Sequence, residues 1–186
     1  VKEIQNYPDI AKEKLILNVG RLVPEKGQKY LIEAFSKINE KADWRVVFLG
    51  DGFLRSELEL QARQLGVEEQ VKFLGAVENI DEWLARASVF AFPSISEGFP
   101  NALAEAMSAG LPCISFDCNA GPRDLIENNV NGYLVEVGEV DELTQSIKNL
   151  MDDEDKRKRF GKKSIKIKNK LLSSSISNKY LKFLLK

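Results

Sequence analysis

Two cations and two carboxylates have the residue types and spacing to hold a sugar joined to a diphosphate. Arg21 and Lys26 lie in one loop, residues 20–27, where a guanidinium fork and a compact ammonium can converge on one anion. Glu97 comes just before a predicted helix and Glu105 about one turn into it, and carboxylates accept hydrogen bonds from pairs of sugar hydroxyls. Taken singly, the cations could be solvated loop charges and the glutamates a capping and a surface residue. Together they predict a site for a sugar–diphosphate–ribose molecule.

The segment between the two glutamates predicts an anion site at a helix N-terminus. Gly98 and Pro100 precede a predicted helix over 102–109. A glycine followed by a proline near the first helical position presents unpaired N–H groups, and the helix dipole adds to their attraction for anions. This helix is otherwise small and apolar, ALAEAMSAG, so an exposed Glu105 would be unusual in it.

Two further loops leave alternatives open. Gly50 and Gly52 permit close backbone approach to a ligand, but an ordinary tight turn fits them equally well, and Arg55 stands where a dinucleotide fingerprint would need its third glycine. Residues 117–124 contain a Gly-Pro pair that starts a short helix. This loop could add N–H groups, close one wall of a pocket, or simply connect a strand to a helix.

Absences exclude several kinds of chemistry. The chain has no histidine, which excludes Ser-His-Asp and Cys-His nucleophile systems and zinc-protease helices. Cys113 and Cys118 lie in one predicted extended segment spanning about 16 Å, too far for a disulfide, so both are predicted to be reduced packing residues. The acidic run 153–155 is predicted to be a solvated helix face and not a metal site. If a diphosphate leaves from this site, protein cations and helix ends must stabilise it instead of a divalent ion.

Six short apolar segments alternate with segments of helical spacing. Apolarity that is continuous along each segment favours strands covered on both faces, and the β-α order predicts a parallel sheet of about six strands in a three-layer α/β/α domain. Ligands bind such sheets at the carboxyl ends of the strands, where the loops described above are expected to lie. The predicted strands are Leu15 to Val19, Arg45 to Leu49, Val71 to Leu74, Val89 to Phe92, Cys113 to Phe116 and Tyr133 to Val135.

Charge divides the 186 residues unevenly. Residues 1–14 lack a clear period and are predicted to be a linker or the start of the domain, 15–155 the domain, and 156–186 a basic helical tail. Residues 1–155 carry all 28 acids and 15 bases, a net charge of −13, whereas 156–186 carry 12 bases and no acid. No apolar run approaches the length of a membrane helix and no apolar leader is present, so we expect a cytoplasmic protein.

Several stretches resemble one enzyme family. The chain resembles the C-terminal, donor-binding half of a retaining glycosyltransferase of family 4, a Rossmann-like half of the GT-B fold, from bacterial polysaccharide or lipid-linked oligosaccharide synthesis. The Glu-x7-Glu spacing from Glu97 to Glu105 is the specific core of the resemblance. The matching stretches are NVGRLVPEKG (18–27), FLGDG (48–52), VKFLGAV (71–77), residues 92–115 and NGYLV (131–135).

The resemblance implies a role for each matching residue. Arg21 and Lys26 would hold the diphosphate and stabilise it as it leaves, Glu97 would contact hydroxyls of the transferred sugar, and Glu105 would bind the ribose. Proline has no N–H, so three of the four residues after Glu97 can donate one. The remaining donor-binding residues implied are Gly20, Gly50, Gly52, Leu74, Val77, Gly98, Phe99, Pro100 and Asn101, with Leu74 and Val77 framing the base.

The implied reaction moves a hexosyl or N-acetylhexosaminyl group from a nucleotide sugar, with UDP as the expected nucleotide, to a glycan or lipid-linked acceptor, without metal or other cofactor. A chain of 186 residues cannot also contain the N-terminal acceptor-binding domain, so the domain alone is expected to transfer nothing. Glu97 could act as a covalent nucleophile, as in retaining glycosidases, or the reaction could proceed on one face of the sugar, as is usually argued for the family.

Other functions remain as alternatives. The chain could be a non-catalytic sugar-nucleotide-binding or partner module; an epimerase is less favoured because histidine is absent. Nucleic-acid binding is not predicted, since the bases cluster in one tail without interleaved aromatic residues. The tail could cross to the other domain, with Leu172, Ile176, Tyr180 and Leu184 packing there, or bind anionic lipid as a peripheral protein at the inner face of the membrane.

Overall fold

Six apolar segments form one parallel β-sheet in the order β3-β2-β1-β4-β5-β6. The computed structural model describes residues 10–39 and 43–171. The predicted strands are confirmed, with β3 ending one residue earlier and β6 starting one residue earlier than expected. The strands are β1 Leu15–Val19, β2 Arg45–Leu49, β3 Val71–Phe73, β4 Val89–Phe92, β5 Cys113–Phe116 and β6 Gly132–Val135.

Helices connect the strands and cover both faces of the sheet. Successive side chains of β1 alternate between two apolar clusters: Ile16 packs in one, while Leu15 and Leu17 pack in the other. The three-layer α/β/α arrangement is thus confirmed. In the described residues the helices are α1 Gln28–Ser36, α2 Arg55–Gln64, α3 Ile80–Arg86, α4 Asn101–Ser108, α5 Pro122–Leu125, α6 Val140–Asp152, α7 Glu154–Ser164 and α8 Ile167–Leu171, with a 3-10 turn at Pro24–Lys26.

The strand order creates a crevice between β1 and β4. From β1 the chain continues to β2 on one side, and from β4 it continues to β5 on the other. Leu17 of β1 lies opposite Phe90 of β4, so the two strands are direct neighbours in the sheet. The loops after β1 and β4 lead in opposite directions and leave a space between them. Ligands of open α/β sheets bind in such a space.

The change from acidic to basic sequence at residue 156 falls inside α7 and not between elements. Phe160 of this helix is 2% exposed, and Ser164 Oγ donates a hydrogen bond of 2.7 Å to the Asn131 carbonyl. Residues 156–171 are thus helical, and α7 packs on the domain. The predicted apolar positions 172, 176, 180 and 184 lie outside the described residues, as do residues 1–9.

Both cysteines, Cys113 and Cys118, are free and buried, as predicted.

Within residues 10–39 and 43–171, no helix combines the length and apolarity that crossing a bilayer would need.

Candidate active site

Lys26 and Glu97 meet where β1 and β4 end. Lys26 Nζ lies 2.5 Å from Glu97 Oε1, and the two side chains are 23% and 7% exposed. The same ammonium is 5.8 Å from the centre of the Phe92 ring. Each residue lies in the loop that follows its strand, so the ion pair sits at the crevice between the two strands. A charge pair this close to an apolar ring is held more firmly than an exposed pair on a surface.

Backbone contacts between the two loops bring this pair together. Gly27 ends the 3-10 turn with φ of 62°, and a Cβ at this position would lie 2.0 Å from the Pro93 carbonyl oxygen. The Ile95 N–H donates a 2.9 Å hydrogen bond to the Glu25 carbonyl. Only glycine permits so close an approach at a positive φ. The position of Lys26 against Glu97 is therefore set by main-chain packing.

Arg21 presents a free cationic group in the same loop as Lys26. Its side chain is exposed, and in the part of the chain that the structure describes no carboxylate lies within 4.0 Å of its guanidinium. Its backbone carbonyl accepts a 2.9 Å hydrogen bond from Gln28 Nε2. The loop that carries Arg21 is thus anchored while its guanidinium stays open to an anion.

Two buried amides at the site were not predicted from the sequence. Asn18 Nδ2 donates a 2.9 Å hydrogen bond to the Ala91 carbonyl and links β1 to β4. Its Oδ1 atom and Gln28 Oε1 are buried and have no hydrogen-bond partner in the described structure. Such groups are unusual in native proteins, because an unpaired buried acceptor costs free energy. An asparagine inside the apolar strand LILNV was the available signal.

Gly50 and Gly52 allow backbone to approach backbone. A Cβ at Gly50 would lie 2.1 Å from the Gly20 carbonyl oxygen, and one at Gly52 would lie 2.3 Å from that of Leu22. The Gly50 N–H donates a 2.7 Å hydrogen bond to the Gly75 carbonyl. The close approach predicted for these glycines is thus to a neighbouring loop, and a contact of either with a ligand stays a prediction. A Cβ at Gly20 would lie 3.7 Å from Lys26 Cδ, an ordinary contact distance.

The start of α4 is open at Gly98 and is packed against Gly121 at Pro100. The helix begins at Asn101, one residue before the predicted start, and Pro100 precedes it. Gly98 has open space where a side chain would stand, and Phe99 is 48% exposed. On the other side Gly121 packs against the Pro100 ring, because a Cβ there would lie 2.3 Å from Pro100 Cδ. The 117–124 loop thus contacts the start of α4, and its role as one wall of a pocket stays a prediction.

The other predicted residues lie around the same edge of the sheet. Glu105 is partly buried on α4, one turn beyond Asn101, while Leu74 is exposed and Val77 partly buried in the loop after β3.

Burial raises the pKa of the Cys118 thiol, and the nearby charge of Glu97 raises it further. Cys118 is accordingly a neutral packing group beside the site and not a nucleophile.

The arrangement can stabilise negative charge. Arg21, Lys26 and the N–H groups at the start of α4 provide positive potential, and Glu97 provides an acceptor. The described residues contain no group of three or more carboxylates or thiols able to hold a metal ion. That the reaction proceeds without a metal stays a prediction.

Comparison with known proteins identifies the family. Residues 2–167 match the family model of the glycosyl transferases group 1. The chain belongs to the family of the glycosyl transferases group 1. A relative from Campylobacter jejuni, an N-acetylgalactosamine-N,N'-diacetylbacillosaminyl-diphospho-undecaprenol 4-alpha-N-acetylgalactosaminyltransferase, is 36% identical over 157 residues, which are 84% of this chain and 42% of the relative.

Two solved structures share the fold of this chain. The S. aureus protein TarM superimposes with a TM-score of 0.88 at 27% identity, over 97% of this chain and 37% of TarM. Anabaena HepE, solved in complex with UDP, gives 0.84 at 27% identity, over 93% of this chain and 49% of HepE. The chain thus spans less than half the length of each of these three proteins.

Proposed function

We propose that this chain is the donor-binding part of a retaining glycosyltransferase that moves a hexosyl or N-acetylhexosaminyl group from a UDP-sugar to a glycan or lipid-linked acceptor. Family membership supports glycosyl transfer. The UDP complex of HepE supports a uridine nucleotide, and the name of the Campylobacter relative supports an N-acetylhexosaminyl group and a diphospho-undecaprenol-linked acceptor.

The ion pair of Lys26 and Glu97 carries the proposal, because it lies in the crevice where this fold binds ligands. As the bond from the sugar to the diphosphate breaks, negative charge develops on the leaving oxygen. Arg21, Lys26 and the N–H groups at the start of α4 stabilise that charge in place of a divalent ion. Glu97 keeps the ammonium oriented and accepts hydrogen bonds from sugar hydroxyls with its remaining lone pairs.

The same ion pair favours a reaction on one face of the sugar. A carboxylate already bonded to an ammonium at 2.5 Å is less available as a nucleophile. In the one-face reaction the acceptor oxygen bonds to the anomeric carbon as the diphosphate oxygen leaves, and the acceptor proton passes to that oxygen. The configuration is retained without a covalent intermediate on Glu97.

Acceptor binding is assigned to residues outside this chain, in a longer protein or in a second polypeptide. The chain spans 37% of TarM and 49% of HepE, which leaves more than half of each without a counterpart here. The 186-residue chain is therefore expected to bind the donor and to transfer nothing alone.

Titration calorimetry with UDP, GDP and a panel of UDP-sugars tests the proposal. We expect UDP and at least one UDP-sugar to bind, and Lys26→Met to weaken binding about tenfold or more, as losing a charge-assisted hydrogen bond does. Lys29→Gln is the matched control, because Lys29 is an exposed lysine on the following helix. Absence of nucleotide binding, or equal affinity of the Lys26 and Lys29 variants, would contradict the proposal.

A further inference from the structure

The outer face of α7 and the turn after it carry cations that have no ion-pair partner among the described residues. Arg159, Lys162, Lys163 and Lys166 follow the i, i+3, i+4, i+7 spacing that places residues on one side of a helix, and all four are exposed. The Ile165 and Lys166 N–H groups continue the helical hydrogen bonding past the end of α7. We call these four residues, with Ile165 and Lys168, the basic face.

Most lysines elsewhere in the described residues are ion-paired, with Lys12 and Lys29 as exceptions, whereas the lysines of the basic face are not. In the described structure Lys162, Lys163, Lys166 and Lys168 have no carboxylate within 4.0 Å. Glu127 is the acidic residue that faces them: it lines a shallow cavity of about 380 Å³ together with Lys163 and Lys166. By contrast, several lysines elsewhere are ion-paired, namely Lys14, Lys37, Lys72, Lys148 and Lys158. The basic face is thus a concentration of uncompensated positive charge.

An apolar side chain lies beside these cations. Ile165 is 42% exposed, whereas the aromatic residue of the same helix, Phe160, is buried against the domain. A single-stranded nucleic acid would use exposed aromatic rings for stacking, and the basic face of the described chain presents none. Lysines around one exposed aliphatic side chain fit the interface of an anionic bilayer, where charges meet headgroups and an apolar side chain enters the acyl boundary.

The basic face lies at the edge of the sheet opposite to the candidate active site. A Cβ at Gly161 of α7 would lie 2.2 Å from the Gly110 carbonyl, just before β5, and Ser164 bonds to the Asn131 carbonyl, just before β6. These contacts are at the amino ends of the strands, while Lys26 and Glu97 are at the carboxyl ends. A surface bound to α7 would leave the donor crevice free.

We infer that the basic face, formed by α7 and the residues just after it, is a docking surface for a bilayer rich in anionic phospholipid. The attraction is electrostatic, so it weakens as salt shortens the screening length. Each lysine near such a surface is worth about fivefold in binding. The inference does not depend on the nucleotide that the crevice binds.

Co-sedimentation of the 186-residue chain with lipid vesicles tests this surface. We expect binding at least about tenfold tighter to phosphatidylcholine vesicles containing phosphatidylglycerol than to phosphatidylcholine alone, and loss of that binding at high salt. The triple variant Lys162→Gln, Lys163→Gln, Lys166→Gln should bind about tenfold or more weakly. The control variant Lys29→Gln, Arg63→Gln, Lys72→Gln removes the same charge from exposed positions elsewhere and should bind like the wild type.

UDP titration and thermal unfolding of each variant test whether the crevice and the fold are intact. Four outcomes would overturn the inference. They are binding indifferent to anionic lipid, wild-type binding by the triple variant, tighter binding to a 20-nucleotide RNA than to the vesicles, and self-association in sedimentation equilibrium that the triple variant abolishes.

Discussion

The Lys26 ammonium contacts the Glu97 carboxylate at 2.5 Å although the residues are 71 positions apart in the chain. One lies after β1 and the other after β4, strands that become neighbours only through the order of the sheet. The pair joins the two loops that flank the crevice. It is therefore expected to contribute to stability as well as to donor binding.

Lys26→Met is expected to lower the free energy of unfolding by about 2–4 kcal/mol, because it leaves a nearly buried carboxylate without its partner. Glu97→Gln should cost less, since Lys26 retains access to water. The double variant should be less destabilised than the sum of the single variants by about 1–3 kcal/mol. Urea unfolding measures all three values, and additivity within about 0.5 kcal/mol would show that the two groups do not interact.

Gly27→Ala should destabilise the protein by about 3 kcal/mol or more. The substitution combines a positive φ with a Cβ 2.0 Å from the Pro93 carbonyl oxygen, so both loops must shift. Gly66→Ala is the matched control: φ is 66° but no atom lies within 4 Å of the added Cβ, so about 1 kcal/mol is expected. Equal losses for the two variants, measured by thermal or urea unfolding, would rule out close packing of the loops at Gly27.

Gln28→Met should leave stability within about 1 kcal/mol of wild type but weaken UDP-sugar binding several-fold. The variant removes an unpaired buried acceptor together with the hydrogen bond to the Arg21 carbonyl, so its effects on folding offset each other. The Arg21 loop then loses an anchor. The control is Gln61→Met, since Gln61 Nε2 donates to the Lys29 carbonyl on the helical surface. Unchanged calorimetric affinity in Gln28→Met would show that Gln28 does not position the Arg21 loop for donor binding.

Glu13 should contribute stability that depends on pH. Its hydrogen bond from Arg86, with the charges of Arg86 and Arg45, holds the pKa of its carboxyl below the ordinary value of 4.5. Because the folded state binds the proton less tightly, the contribution is present above that ordinary value and is lost as pH falls through the lowered pKa.

Glu13→Gln is thus expected to reduce the free energy of unfolding by about 1 kcal/mol at pH 7 and by little at pH 3. Urea unfolding at both pH values measures the difference. Glu154→Gln, which removes an exposed pair with Lys158, should have a smaller effect. A difference between wild type and Glu13→Gln that persists unchanged at pH 3 would contradict the assignment.

Much of the fold could be predicted because the pattern of apolar residues along a segment indicates whether it forms a strand or a helix. Runs such as Leu15–Val19 and Val89–Phe92 are apolar at nearly every position, as is typical of buried parallel strands, and the structure shows both with the predicted bounds. Differences occur at element ends, where one residue of hydrogen bonding decides the boundary, as at the start of α4. The charge change at residue 156 marked a new surface but not a new element, since α7 continues across it.

The candidate site was predictable in its residue types more than in its contacts. The loops after β1 and β4 carry the cations and carboxylates expected of them. The contact between Lys26 and Glu97 was not foreseen, nor were the buried amides of Asn18 and Gln28. Gly50 and Gly52 were expected to permit close approach to a ligand or to form an ordinary tight turn. In the structure their missing side chains make room for neighbouring carbonyl groups, and contact with a ligand stays a prediction.

The amino-acid sequence alone determined which segments become strands and helices and which loops bring charge to the ends of the strands, because these properties depend on near neighbours in the chain. Only the tertiary structure decided that β1 lies beside β4 and that Lys26 therefore meets Glu97. Strand order results from packing both faces of the sheet at once, which depends on contacts between residues far apart in the chain. No local sequence pattern encodes these contacts.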